Sequence, residues 1–188
     1  MLVLTRRGFV AGVAATTCVT LPQAGFGQTN LSHLEELDSR ANTAIEFMQR
    51  VVPQSADLIK ISVGMLIMPL ITKAALLFGG AYGEGVLRVD GKTVNYYNSV
   101  QFNVGFQISA QQYSSALFFM NQEALERFLA SEGWKVGAEL KYLIVDDTEF
   151  HRIDTFTRRA DVAGLVFGAN GLHIGVSLEG TKFTRIDT

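Results

Sequence analysis

The sequence predicts an α+β fold: a twisted antiparallel sheet or partly closed β-barrel with N-terminal helices and one inserted helix. Three observations carry this. Apolar residues recur at three- and four-residue steps between about 30 and 52, the spacing of one helical face. From Arg88 onward, short alternating apolar runs are separated by tight turn pairs, Asp90-Gly91, Asn170-Gly171 and Glu179-Gly180. Helical spacing returns once, over 121–133. The 188 residues suffice for one domain with an ordinary core, and neither a repeat nor a linker divides them. With 18 Gly against 3 Pro, the composition favours strands and close backbone packing.

The first 27 residues are set apart before any fold reasoning. Arg6 and Arg7 stand directly before Phe9–Leu21, an uncharged and largely apolar stretch, and Gly25 and Gly27 offer a small-residue cleavage site before Gln28. This resembles a twin-arginine export signal, with a buried N-terminal helix as the competing reading. The expected organisation is a cleaved signal over 1–27 and a single domain over 28–188, in a periplasmic protein, either free or associated with a membrane. Cys18 is the only cysteine and lies inside the signal. Its context fits a lipoprotein site poorly, so the alternative of lipidation there is the weaker one. Without Cys18 the exported chain has no thiol for disulfides, thiolate metal sites or cysteine catalysis. Without Arg6 and Arg7, 14 basic residues face 18 acidic ones, a net charge of −4. That is the wrong sign for a nucleic-acid binder.

The first helix is expected over 30–52, with Leu31, Leu34, Leu37, Ala41, Ala44, Met48 and Val51 on its buried face and Pro53 ending it. Its polar face is acidic, which favours packing on its own sheet over lying on a membrane. A shorter helix follows over 55–62, capped by Ser55. Gly64 to Phe78 is a long apolar run, but it is too short for a bilayer span and is interrupted by Pro69 and Lys73. A strand to Met68, a turn at Pro69, and a second strand or short helix from Ile71 fit it better. Asp90-Gly91 then closes a hairpin, residues 104–110 alternate as a half-buried strand, and 113–120 reads as a central strand. Asn121 caps a helix with Ala124, Leu125, Phe128 and Leu129 on one face; Gly133 ends it in a left-handed conformation, and Trp134 packs just after. Strands resume over 138–144, a polar loop or exposed hairpin covers 146–161, and two hairpins follow around Asn170-Gly171 and Glu179-Gly180.

Chemistry is sparse. His33, His151 and His173 share no metal-binding spacing, and no Gly-x-Ser-x-Gly elbow occurs, so no catalytic residue is assigned and the chain is expected not to be an enzyme. Asp146, Asp147 and Glu149 fix no coordination geometry, and neither a metal nor a cofactor is expected. The glycine cluster Gly79, Gly80, Gly83 and Gly85 leads into a strand, not into the helix N-terminus that a phosphate loop requires. These glycines are therefore expected to be structural, at bulges or beneath large side chains, with a ligand approaching bare backbone as the alternative.

Several motifs together resemble one family. KAALLFGGAYGEGVLRVDGKTVNYYNS, GFQISAQQYSSALFFMNQEAL and GLHIGVSLEGTKFTRI occur in the order found in the SYLF domain in its bacterial exported form. The resemblance spans roughly Asn30 to Ile186 and weakens over 146–161. It implies binding of anionic lipids; the family's association with actin regulators has no counterpart outside a eukaryotic cytoplasm. A lipid site needs apolar surface for chains and cations for headgroups. The residues named for it are Lys73, at the family's lysine position, and Arg152, Arg158 and Arg159. A local ion pair for Lys73 and an ordinary exposed pair at Arg158-Arg159 are the competing readings. The expected partner is a lipid or membrane surface, with an envelope protein as the runner-up and no nucleic acid.

Overall fold

The computed structural model describes residues 26–74, 80–102, 112–135, 142–144, 160–168, 171–172, 178 and 180–187. Three helices and nine strands are defined there: α1 Phe26–Val51, α2 Ser55–Ile61, β1 Gly64–Ala74, β2 Gly80–Val89, β3 Lys92–Phe102, β4 Gln112–Phe119, α3 Gln122–Ala130, β5 Trp134–Lys135, β6 Tyr142–Ile144, β7 Val162–Gly168, β8 Gly171–Leu172 and β9 Thr181–Arg185. The strands form one sheet in the order β5-β9-β3-β2-β1-β4-β7-β6, with β8 paired to β7. The fold is α+β, as the sequence predicts. Every pairing is antiparallel except β6 with β7, which runs parallel. Among the described residues no helix is long and apolar enough to cross a membrane.

The expected sharing of β1 between two segments is replaced by a single strand with a bulge. Ile67 pairs with Val86 and Leu70 with Glu84, so Met68 and Pro69 together stand opposite Gly85. On the other side Met68 pairs with Ser115 and Ile71 with Tyr113, so Pro69 and Leu70 stand opposite Ser114. Proline cannot donate to a ladder, and a central strand tolerates it only where an extra residue lifts it out of the pairing. The Ser114 hydroxyl donates to the freed Pro69 carbonyl at 2.7 Å. The sequence shows the proline but not that the strand runs on through it.

Both sheet faces are buried. Leu66, Met68, Ile71, Leu117, Phe119, Val162 and Val166 alternate onto one face, where Leu125 and Phe128 of α3 and Trp134 complete the core. Phe128 stands 4.8–5.3 Å, centroid to centroid, from Tyr97, Phe119 and Trp134, the spacing of packed aromatic pairs. Met65, Ile67, Val86, Ala116, Phe118, Ala163, Leu165 and Phe167 take the opposite face beneath Leu37, Ala41, Ala44, Met48 and Leu58. The sheet curls around the first face. Tyr113 on β4 and Gln101 on β3 would stand about 14 Å apart in a flat sheet, yet the Tyr113 hydroxyl reaches the Gln101 Oε1 at 3.3 Å.

The helix boundaries differ from expectation in instructive ways. Leu31 is 64% exposed, so α1 begins before the sheet does and its first turns cover nothing apolar with this residue. Ser55 does not cap α2: it is fully buried, its Oγ unpartnered among the described residues, and the first turn is closed by backbone bonds, including Ser55 N–H to the Val52 carbonyl at 2.9 Å. Asn121 does cap α3, its Oδ1 accepting from the Ala124 N–H at 2.8 Å. Gly133 is not left-handed. The helix stops at Ala130, with Ser131 already extended, and Gly133 instead admits the Lys182 side chain, whose Cε would stand 2.6 Å from an added Cβ. Asp90 (φ 50°) and Gly91 (φ 74°) make the predicted hairpin turn, and Gly180 (φ 79°) makes the turn before β9. Strand 104–110, most of 138–144, residues 146–159 of the polar loop and residues 173–177 lie outside the described residues.

The bulge predicts a sharp glycine requirement. A Cβ at Gly85 would stand 2.1 Å from the Ile67 carbonyl oxygen, whereas at Gly80 the nearest atom is 3.3 Å away. Gly85→Ala is expected to cost about 1–3 kcal/mol, the usual range for overpacking a tight core, and Gly80→Ala well under half of that. Urea unfolding of the two variants measures the difference.

Candidate functional site

The β1–β2 pair ends in a surface with two chemistries. Leu70, 42% exposed, and Tyr82, 48% exposed, are diagonal neighbours on the α1 side of the sheet, because Leu70 pairs with Glu84 and Thr72 with Tyr82. Without the bulge, strict alternation from Ile67 would turn Leu70 into the α3-side core. The Tyr82 hydroxyl donates to Glu84 Oε1 at 2.7 Å, and Glu84 Oε2 meets His33 Nε2 of α1 at 2.9 Å. Burial and the Glu84 carboxylate push the Tyr82 phenol up to about 12.

Lys73 lies on the opposite face of the same strand end, in register with Ala81 of β2, which pairs with Gln101 of β3, which pairs with Thr181 of β9. This lateral row is polar at three of its four positions. Gln101 and Thr181 are buried, and among the described residues the Thr181 hydroxyl has no hydrogen-bond partner. Lys73 itself is half-buried, and desolvation holds its amine below the usual lysine value. Tyr113, 3% exposed, stands beside the row with its phenol raised to about 12 by burial.

The α1 side has a second polar cluster that holds the helix in place. Asp38 Oδ1 accepts from Arg88 Nη2 at 3.0 Å and from the Thr93 hydroxyl, and its Oδ2 accepts from the Tyr96 hydroxyl at 2.7 Å. Arg88 also donates to Asn42 at 2.8 Å and to the Gly91 carbonyl at 3.3 Å. One α1 carboxylate thus gathers three donors from the β2–β3 hairpin. Burial, then the bond to Asp38, raises the Tyr96 phenol to about 12, with Arg88 opposing.

Between α1 and the bulge runs an open groove of about 420 Å³, walled by Ala44, Phe47, Pro69 and Leu70 and edged by Ser39, Arg40, Thr43 and Ser114. Among the described residues no three His, Cys, Asp or Glu side chains gather as a metal site.

Of the residues named from sequence, Lys73, Gly80, Gly83 and Gly85 fall on the β1–β2 pair. A Cβ on Gly83 would meet the Leu70 carbonyl oxygen at 2.8 Å, so both inner glycines sit against the β1 backbone. Arg6, Arg7, Gly79, Arg152, Arg158 and Arg159 lie outside the described residues, as does most of the apolar segment following Lys73. Sequence reasoning missed Leu70, whose facing depends on the bulge, and Tyr82, its diagonal neighbour on β2. It also missed the polar row, whose polar members Lys73, Gln101 and Thr181 are far apart in sequence. Asp38 stood in the sequence only as one acid on a polar helix face; nothing there marks it as the carboxylate that meets the hairpin.

Compared with known families, residues 100–187 match the model described as Ysc84, Las17-binding protein actin regulator. The match covers the end of β3, β4, α3 and everything after, and begins downstream of α1, α2, β1 and β2. No curated protein matches the chain.

Two outcomes are expected from this geometry. Asp38→Ala should destabilise the fold by about 1.5–3 kcal/mol, the scale for hydrogen bonds to a charged group, while Arg40→Ala, at an exposed pair with Glu36, should cost about 0.5 kcal/mol or less; chemical denaturation separates them. Tyr113 has a phenol raised from 10.0 to about 12, so the neutral phenol is what the folded state holds. Its contribution is fully present below pH 10 and is lost as pH rises toward 12. Alkaline unfolding of Tyr113→Phe should show a shallower decline across that window than the parent chain.

Proposed function

We propose, from the match of residues 100–187 to the Ysc84 family model and the resemblance to the SYLF domain, that the chain is an exported, non-catalytic lipid-binding domain of the cell envelope. The observation that supports this best is the end of the β1–β2 pair, where exposed Leu70 and Tyr82 stand on one face and half-buried Lys73 on the other. A leucine and a tyrosine held on rigid strands suit the boundary between acyl chains and headgroups, since tyrosine presents an apolar ring with a polar tip. The lysine adds a cation that an anionic headgroup attracts. Arg152, Arg158 and Arg159 are further cations assigned to the same role. The Arg6-Arg7 segment and the apolar stretch after it support export by the twin-arginine route. With a net charge of −4 after loss of the signal, attraction to an anionic surface must be local to such cations, not a property of the whole molecule.

The family's description names a protein-binding actin regulator, which supports a second reading as an envelope protein-interaction module. Co-sedimentation with anionic vesicles at low salt separates the two. Residues 28–188 are expected to pellet with the vesicles. Each cation near an anionic surface contributes about 1 kcal/mol, so Lys73→Glu should weaken binding on the order of tenfold. A protein that stays in the supernatant at low salt rules out the lipid reading and leaves the protein-interaction one.

A further inference from the structure

The groove beside the Pro69 bulge has a wall that asks for no hydrogen bonds. Pro69 brings no N–H, and its carbonyl already accepts from the Ser114 hydroxyl at 2.7 Å. The Thr43 hydroxyl donates to the Ser39 carbonyl at 3.1 Å, and Arg40 is held by Glu36 at 2.6 Å. What remains facing the groove is Ala44, the Phe47 ring, the Pro69 ring and Leu70. β1 is paired on both sides, by β2 and β4, so the groove offers no free ladder to which an extended peptide can add. A peptide strand laid there would bury N–H and C=O groups without partners, a cost that a hydrocarbon chain does not incur.

We propose that this groove is a slot for one acyl chain of a lipid. The inference rests on the lipid-binding reading above and deepens it, because Leu70 belongs to both surfaces: it stands on the exposed strand end and also forms one wall of the groove. The slot is therefore continuous with the proposed membrane-contact surface. Its volume of about 420 Å³ falls in the lower part of the range for small-ligand pockets, about 300–1,000 Å³. Arg40, at the rim, is a cation for the carboxylate or phosphate end of the occupant; Glu36 is its present partner.

Leu70→Trp places an indole on the slot wall at an exposed position, against a background of the one native tryptophan, Trp134, which is buried in the aromatic cluster on the other sheet face. The full chain carrying this substitution is titrated with a brominated long-chain fatty acid below its micelle concentration, and separately with vesicles of anionic phospholipid. The expected result is quenching of the introduced indole by the fatty acid with little change at Trp134. A second substitution at the rim, Thr43→Phe, should abolish that quenching while circular dichroism stays unchanged. Absence of quenching, or quenching that Thr43→Phe leaves intact, overturns the slot. If the vesicles still pellet the protein in that case, the membrane-binding reading survives the loss of the slot. If the fatty acid quenches as expected but vesicles do not bind, the slot stands and the membrane reading falls. Quenching by an amphipathic peptide bearing bromophenylalanine, with none by the fatty acid, overturns the acyl slot and assigns the groove to a protein.

Discussion

A proline in the middle of a central strand is the constraint from which most of this architecture follows. β1 has neighbours on both sides and core on both faces, so its backbone has no solvent to turn to. Pro69 removes one ladder donor there, and the strand accommodates it by inserting an extra residue. Three identities then become intelligible together. Gly85 is the residue opposite Met68 and Pro69, and only a hydrogen fits between it and the Ile67 carbonyl. Ser114 is the residue opposite Pro69 and Leu70, and its hydroxyl satisfies the carbonyl that the bulge frees. Leu70 is turned out toward α1 and solvent, where its side chain forms part of both the exposed strand end and the groove.

The second requirement is that α1 be fixed over this bulged face without sealing it. Apolar burial of Leu37, Ala41, Ala44 and Met48 supplies the adhesion, but a sheet surface of aliphatic side chains does not by itself set where along its length a helix lies. The Asp38 carboxylate does, because its three donors come from fixed positions on β2 and β3. Its Arg88 partner is largely shielded, whereas the pairs Arg40–Glu36 and Lys60–Asp57 are exposed and contribute little. The His33–Glu84–Tyr82 chain adds a weaker contact nearer the start of the helix.

How much of this the sequence discloses depends on the range of the interaction. Local features are legible: the Asp90-Gly91 turn, the Asn121 cap, the α3 face and the central-strand reading of β4 all come from neighbouring residues. Pro69 was visible too, but a proline reads as a break unless one knows that both neighbouring strands supply compensation from positions 85 and 114. The same limit applies to Gly133, whose helix-end position suggests a left-handed cap but which lies against the side-chain end of Lys182, 49 residues away. Ser55 looked like a cap and is buried core. Of the candidate site, Lys73 was named on resemblance, while the row it joins through Ala81, Gln101 and Thr181 exists only once four strands are in register.

In the proposed function these points meet: the chain would be an exported domain whose bulged central strand presents a lipid-contact end and an acyl slot. Native mass spectrometry of gently purified protein, run beside a variant from which Pro69 is deleted, tests that connection. Deletion restores plain alternation between Met68 and Leu70 and keeps Leu70 on the α1 side, so the strand should persist while the groove loses the Pro69 part of its wall. The account predicts a co-purifying lipid mass on the parent chain and its loss from the folded variant. A parent chain that carries no lipid, or a folded variant that keeps as much as the parent, would contradict it.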